Sequence, residues 1–139
     1  MPEILITGSS GFLGKNLYSY LCDIHDVIGV SRSDSKTTDI KMEISSNNIP
    51  PKLMKIHPDI IVHCAALVNA DYCEEHKEEA FNANVKSTLN IVKYAIEKNA
   101  KMIYISSDYV YDGLYGGYTE QSTPNPINYY GITKVISEK

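Results

Sequence analysis

The apolar positions of this chain follow two alternating rhythms. Short β-branched or apolar runs occupy residues 3–7 (Glu-Ile-Leu-Ile-Thr), 27–30 (Val-Ile-Gly-Val), 59–63 (Asp-Ile-Ile-Val-His) and 102–106 (Met-Ile-Tyr-Ile-Ser). The first reads as a short buried strand bounded by glycine, and the others as further strands. Between them lie stretches with helical spacing: one carrying Leu17, Tyr20 and Leu21, and a longer one over 78–99 with Phe81, Val85, Leu89, Val92, Ala95 and Ile96. Pro50-Pro51 opens a short helix carrying Leu53 and Ile56, which Pro58 closes. Residues 31–48 are polar, except for an Ile40-x-Met42-x-Ile44 alternation that suggests a third short strand. A tyrosine- and glycine-rich loop covers 107–118, and Pro124-Asn125-Pro126 turns the chain into a final helix.

Strands alternating with helices at this spacing imply right-handed βαβ units. The expected fold is α/β: a Rossmann-type parallel sheet with helices on both faces, forming one unit over 1–139. Such sheets bind ligands beyond the C-terminal ends of their strands. The chemically notable residues fall there: Gly8 to Gly14 after the first strand, Arg32 after the second, and Ala65-Ala66 and Ser106-Ser107 after later ones.

Composition narrows the partners. With 13 basic and 17 acidic residues the net charge is −4, so no basic surface for nucleic acid or anionic membrane is expected. No apolar run approaches the ~20 residues of a membrane span. Met1-Pro2-Glu3 leads straight into a β-type run, so no signal peptide is expected. Three cysteines, an odd number without framework spacing, point to a reducing cytoplasm. His63-Cys64 with Cys73-x-x-His76 resembles a ligand set, but adjacent strand residues face opposite sides, so no metal is expected.

Gly8-x-x-Gly11-x-x-Gly14 meets the needs of a phosphate-binding turn: tight bend, close backbone approach and a following helix start. The alternative is a plain strand–helix turn. Ser31-Arg32-Ser33 offers an arginine where an NAD enzyme would carry an acid, which favours NADP(H) and leaves NAD(H) possible; a solvated arginine is the alternative. Asn84 shares a face with Phe81, Val85 and Thr88 and needs partners if buried, in either a bracing or a catalytic role. The acids of 74–79 suit a solvated helix start. Tyr130 and Lys134, four apart, place their Cβ atoms about 6 Å from each other on one helix face. A neighbouring ammonium is expected to lower the phenol's pKa and make it a proton donor near neutral pH.

Together these residues resemble the extended short-chain dehydrogenase/reductase superfamily, and within it the dTDP-4-dehydrorhamnose reductases. The likeness spans nearly the whole chain, through Ile6 to Gly14, Pro58 to Ala66, Asp71-x-x-Glu74, Asn84, the Ser-Asp-Tyr-Val-Tyr-Asp-Gly run from Ser107, and Tyr130-x-x-x-Lys134. The resemblance implies that Gly11, Phe12 and Leu13 line a pyrophosphate and that Ala65 and Ala66 pack near a cofactor ribose. It implies that Ser107 polarises a keto oxygen at sugar C4, that Tyr130 protonates it, and that Lys134 holds the nicotinamide ribose. An acid–isoleucine pair beside the adenine would be Glu43-Ile44 or Asp39-Ile40. Family members continue past the Tyr-x-x-x-Lys helix into further strands and a nucleotide-sugar-binding region. The 139 residues are therefore expected to be an incomplete domain, inactive alone, whose full-length form could be a homodimer. The competing expectations are an epimerase or dehydratase of the same superfamily and a non-catalytic dinucleotide-binding or regulatory module.

Overall fold

A computed structural model describes residues 1–46 and 50–139; Asn47 and Asn48 of the polar stretch lie outside the described residues. Five parallel strands form one sheet in the order β3-β2-β1-β4-β5. They are β1 (Glu3–Thr7), β2 (Asp26–Ser31), β3 (Ile40–Lys41), β4 (Ile60–His63) and β5 (Lys101–Tyr104). The helices are α1 (Phe12–Leu21), α2 (Pro51–Met54), α3 (Ala70–Glu75), α4 (Lys77–Phe81), α5 (Ser87–Lys98) and α6 (Tyr129–Glu138). A π-helical turn, Asn82–Lys86, joins α4 to α5, and a 3-10 turn, Asp108–Val110, follows β5. No helix among the described residues is long and apolar enough to cross a membrane.

Strand alternation divides the core into two layers. Leu5, Val30, Ile61 and Met102 face α2 and α5, packing with Leu53, Ile91, Tyr94 and Ala95. Ile4, Ile6 and Val62 face the other way, onto Leu17 and Leu21 of α1. Tyr20, expected on that same inward face, is exposed instead. The third strand is shorter than its alternation suggested, because only Ile40 and Lys41 pair with β2. Met42 and Ile44 nonetheless enter the core. Burial here outlasts the ladder.

The long helical segment departs furthest from expectation. Its buried side is Asn84, Ser87, Thr88, Ile91, Tyr94 and Ala95, while Leu89 is 50% and Ile96 75% exposed, and Phe81 is exposed too. The π turn is the physical reason. It inserts a residue into the helical repeat, so the face that precedes it and the face that follows it no longer align. Polar residues then take the inward positions over the strand ends, where partners exist for them.

Tyr94 ties two helices to the core through one hydroxyl, which donates to the carbonyls of Leu53 (2.9 Å) and Ile56 (3.1 Å). Burial pushes its phenol up to about 12, so it stays a donor. Replacing Tyr94 with Phe keeps the ring but leaves both carbonyls without this donor. Chemical denaturation of the complete protein should show a loss of about 1–3 kcal/mol.

Candidate functional site

The site begins at the turn after β1. Gly8 has φ +67°, and a Cβ there would meet the backbone of Ala65 at 2.8 Å. Only glycine permits both the bend and this approach of the β1 and β4 ends. Gly11 then caps α1 in extended conformation, with no side chain hydrogen-bonded to the helix start and no acid in the first turn. The N–H groups there are free for an anion, and the helix dipole favours one. Gly14 is buried against Gly8. Phe12 is 85% exposed, and Leu13 is exposed too, so these two bring backbone rather than side chain to the turn.

A cavity of about 210 Å³ lies over this turn, between Gly8, Ser10 and Gly11 on one side and Ala65 and Ala66 on the other. Arg32, Glu43 and Ile44 close its far end. Of the two acid–isoleucine pairs, Glu43-Ile44 lines the cavity, whereas the Asp39 carboxylate accepts the Gly29 N–H at 2.8 Å. Arg32 pairs with Glu43 at 3.6 Å. Ser31 donates to Ser10 at 2.9 Å, which draws the β2 end towards the glycine turn. A wider cavity of about 690 Å³ adjoins across Arg32, Glu43 and Ala83.

The second group of predicted residues gathers at the β5 end. Ser107 accepts the Tyr109 N–H at 3.2 Å and so starts the 3-10 turn. The Tyr109 ring meets Tyr130 edge-on at 5.7 Å. Gly131 lets α6 approach this turn, since a Cβ there would collide with the Tyr109 carbonyl. Tyr130 packs with Cys73 and Ala80 beside Leu67, and Leu67 also lines the cavity over the glycine turn. Ser107, Tyr130 and Lys134 do not themselves line that cavity, so the predicted residues form two adjoining groups.

The electrostatics of the tyrosine–lysine pair differ from expectation. The Tyr130 phenol is raised above its ordinary value of 10, chiefly by burial, while hydrogen bonding with Ser107 works in the lowering direction. Lys134 is turned elsewhere: its ammonium donates to the Ile105 carbonyl at 2.6 Å and lies 4.3 Å from the Tyr104 ring centre. Burial brings Lys134 itself down to about 8. Desolvation therefore outweighs the i,i+4 coupling here. The phenol is held protonated, which is the form from which a proton donor starts.

Further residues support these two groups. Glu74, expected on a solvated helix start, accepts the Tyr129 N–H at 2.6 Å. It supplies α6 with the carboxylate its own first turn lacks. Asn128 caps the same helix by accepting the Gly131 N–H at 2.8 Å, a signal readable as Asn before an apolar helix. Asn84 is buried and braces rather than faces a cavity: its amide accepts from the Leu67 N–H (2.7 Å) and donates to the Leu67 carbonyl (3.1 Å) and the Thr133 hydroxyl (2.9 Å). The cysteines are free, and His63 is engaged by Thr7 and Thr88. Cys73 and His76 lie on and just after α3, away from that pair.

Known proteins share this fold. A solved structure described as a hypothetical dTDP-4-dehydrorhamnose reductase from Sulfolobus tokodaii superposes with TM-score 0.89 at 37% identity, over 98% of this chain and 50% of that one. The dTDP-4-dehydrorhamnose reductase of Bacillus anthracis str. Ames, solved in complex with NADP, gives TM-score 0.87 at 31% identity, over 99% and 48%. Methionine adenosyltransferase 2 subunit beta of Bos taurus is 39% identical over 99% of this chain and 42% of its own length. The chain thus spans less than half the length of that curated relative. The family profile described as RmlD substrate binding domain matches residues 2–139, and the chain belongs to that family.

Proposed function

We propose that these residues are the cofactor half of a reductase that uses NADPH to reduce a 4-keto nucleotide-sugar. The observation that carries this reading is the buried Tyr130 packed edge-on against Tyr109 of the turn that Ser107 starts, with Leu67 shared between its cluster and a glycine-walled cavity. When bound, the dinucleotide supplies the hydride. The uncapped start of α1 fits its pyrophosphate through the N–H groups following Gly11, including those of Phe12 and Leu13. Gly8 and Gly14 hold that turn, and Ala65 and Ala66 offer small surfaces for a ribose. Arg32 is placed for a 2′-phosphate, with Glu43 as its present counter-charge.

In this reading Ser107 hydrogen-bonds the keto oxygen and Tyr130 gives it a proton. Lys134 holds ribose hydroxyls and supplies positive charge near the reacting oxygen. The nucleotide-sugar site belongs to the longer protein, and turnover is expected of that protein rather than of these residues alone. Self-association of the longer protein belongs to the same reading, supported by the exposed Leu89 and Ile96 on α5.

One finding favours a second reading. The identity to a methionine adenosyltransferase subunit, 39%, exceeds the 31% to the NADP-bound reductase. A dinucleotide-binding regulatory subunit would keep the glycine turn without needing the chemistry of Tyr130.

Tyr130→Phe in the complete protein separates the two readings. The reductase reading expects a rate loss of about 100-fold or more with NADPH affinity nearly unchanged. Wild-type protein that binds NADPH yet never reduces a 4-keto nucleotide-sugar would establish the regulatory reading instead. Arg32→Ala should weaken NADPH binding about tenfold while leaving NADH within about twofold, as titration calorimetry can measure. Sedimentation of the complete protein should give a dimer, and Leu89→Glu should shift it to monomer.

A further inference from the structure

Several heavily buried polar residues lie outside the group of Ser107, Tyr130 and Lys134. Thr7, His63 and Thr133 have no exposure at all, and Asn84 and Thr88 have almost none. Their arrangement follows from the sheet register. Thr7 pairs with His63 across β1 and β4, and His63 with Tyr104 across β4 and β5. Paired residues of parallel strands project to the same face, so these three form a row at the strand ends. Thr88 of α5 covers the row.

The hydrogen bonds of this row run in one direction. The Thr88 hydroxyl lies 2.6 Å from the Asn84 carbonyl, which can only accept, so its single proton is committed there. His63 Nε2, at 3.1 Å from the same oxygen, must then be the donor. A neutral ring protonated at Nε2 has a bare Nδ1, which accepts from the Thr7 hydroxyl at 2.6 Å. Thr7 in turn accepts the Ala65 N–H at 3.3 Å. The other tautomer would reverse the chain, because Nε2 would demand the Thr88 proton and release the Asn84 carbonyl.

That carbonyl belongs to the π turn. Ser87 and Thr88 each return a hydroxyl to the carbonyl four residues back, at Ala83 and Asn84. Such back-bonding replaces backbone donors and bends a helix. The turn is what directs the Asn84 amide to the Leu67 backbone, beside the cavity, and to Thr133, next to Lys134 on α6.

We propose that His63 is a positioning residue: a neutral imidazole in its Nε2–H form that holds the π turn, and through Asn84 sets the cofactor-side loop and the Tyr130–Lys134 helix relative to each other. Its surroundings keep it neutral. Lys134 is the charged group that disfavours a second proton, and burial acts in the same sense and more strongly, lowering the ring to about 4. The Tyr104 ring stacks at 5.9 Å, and Cys64, its chain neighbour, is held up near 11 and so uncharged. Thr7 and Thr88, its contacts on β1 and α5, carry no charge.

The test is made on the complete protein. Nitrogen NMR of the His63 ring should show Nε2 protonated and Nδ1 bare at neutral pH. The Nδ1–H form, or titration near the ordinary 6.5, overturns the proposal. Unfolded His63 takes a proton near 6.5 but folded His63 only near 4, so this residue's contribution to stability is intact above 6.5 and is lost as pH falls through that window. His63→Gln should remove that part of the slope. The longer Gln can set its amide N–H at the Nε2 position and donate to Thr88, whereas the shorter side chain of His63→Asn reaches only the Nδ1 position, where its Oδ1 can accept from Thr7.

Gln should therefore retain exchange protection of the Leu67 amide and turnover within about threefold, and Asn should lose about tenfold or more of both, the equivalent of one buried hydrogen bond. Equal losses in the two variants overturn the proposal. If either variant fails to fold, Thr88→Ser (retention) and Thr88→Val (loss) pose the same question from the other end. Only the turnover arm rests on the reductase reading. A wild type without turnover would defeat that reading while ring tautomer and amide exchange still decide the role of His63.

Discussion

The molecule depends on a buried chain of hydrogen bonds running from the Ala65 N–H through Thr7, His63 and Thr88 to the Asn84 carbonyl. A polar group taken out of water costs free energy unless it is paired, and a partly paired network costs more than an apolar one. Here the links are satisfied with a single direction of donation. The constraint reaches the ends of β1 and β4, the π turn and, through Asn84, the helix that carries Tyr130. Around it the apolar core is ordinary in kind, with β-branched strands between two helical layers.

At Tyr130 and Lys134 two electrostatic effects compete. Proximity of an ammonium favours a phenolate, and burial disfavours either charged form. The Lys134 ammonium spends its hydrogen bond on the Ile105 carbonyl, and burial decides the direction of both shifts. The helix is positioned from outside itself, since Glu74 and Asn128 satisfy its first N–H groups and Gly131 allows it to touch the Tyr109 carbonyl. Its orientation owes little to its own composition.

Much of the frame was legible. Continuous apolar runs marked β1, β2, β4 and β5 to within a residue or two, although β5 is only partly buried with Ile103 exposed, and glycines marked the turn after β1, because close backbone approaches leave few residue choices. The inward face of α5 was not legible. Phe81, Leu89 and Ile96 have the spacing of a core stripe, yet a π turn is a departure from 3.6 periodicity that no hydrophobic pattern announces. Glu74 was read as a solvated acid, since its partner at Tyr129 is distant in the chain.

The sequence by itself determined the parallel α/β frame, the glycine turn, and the residue types available at each strand end, because these follow from local periodicity and backbone sterics. Only the tertiary structure decided which acid meets Arg32, which way Lys134 turns, and which tautomer His63 holds. Those outcomes depend on distances between residues far apart in the chain and on the loss of water around them. Asp39 and Glu43 are equivalent as letters. One accepts a backbone N–H from Gly29, and the other faces a cavity with an arginine beside it.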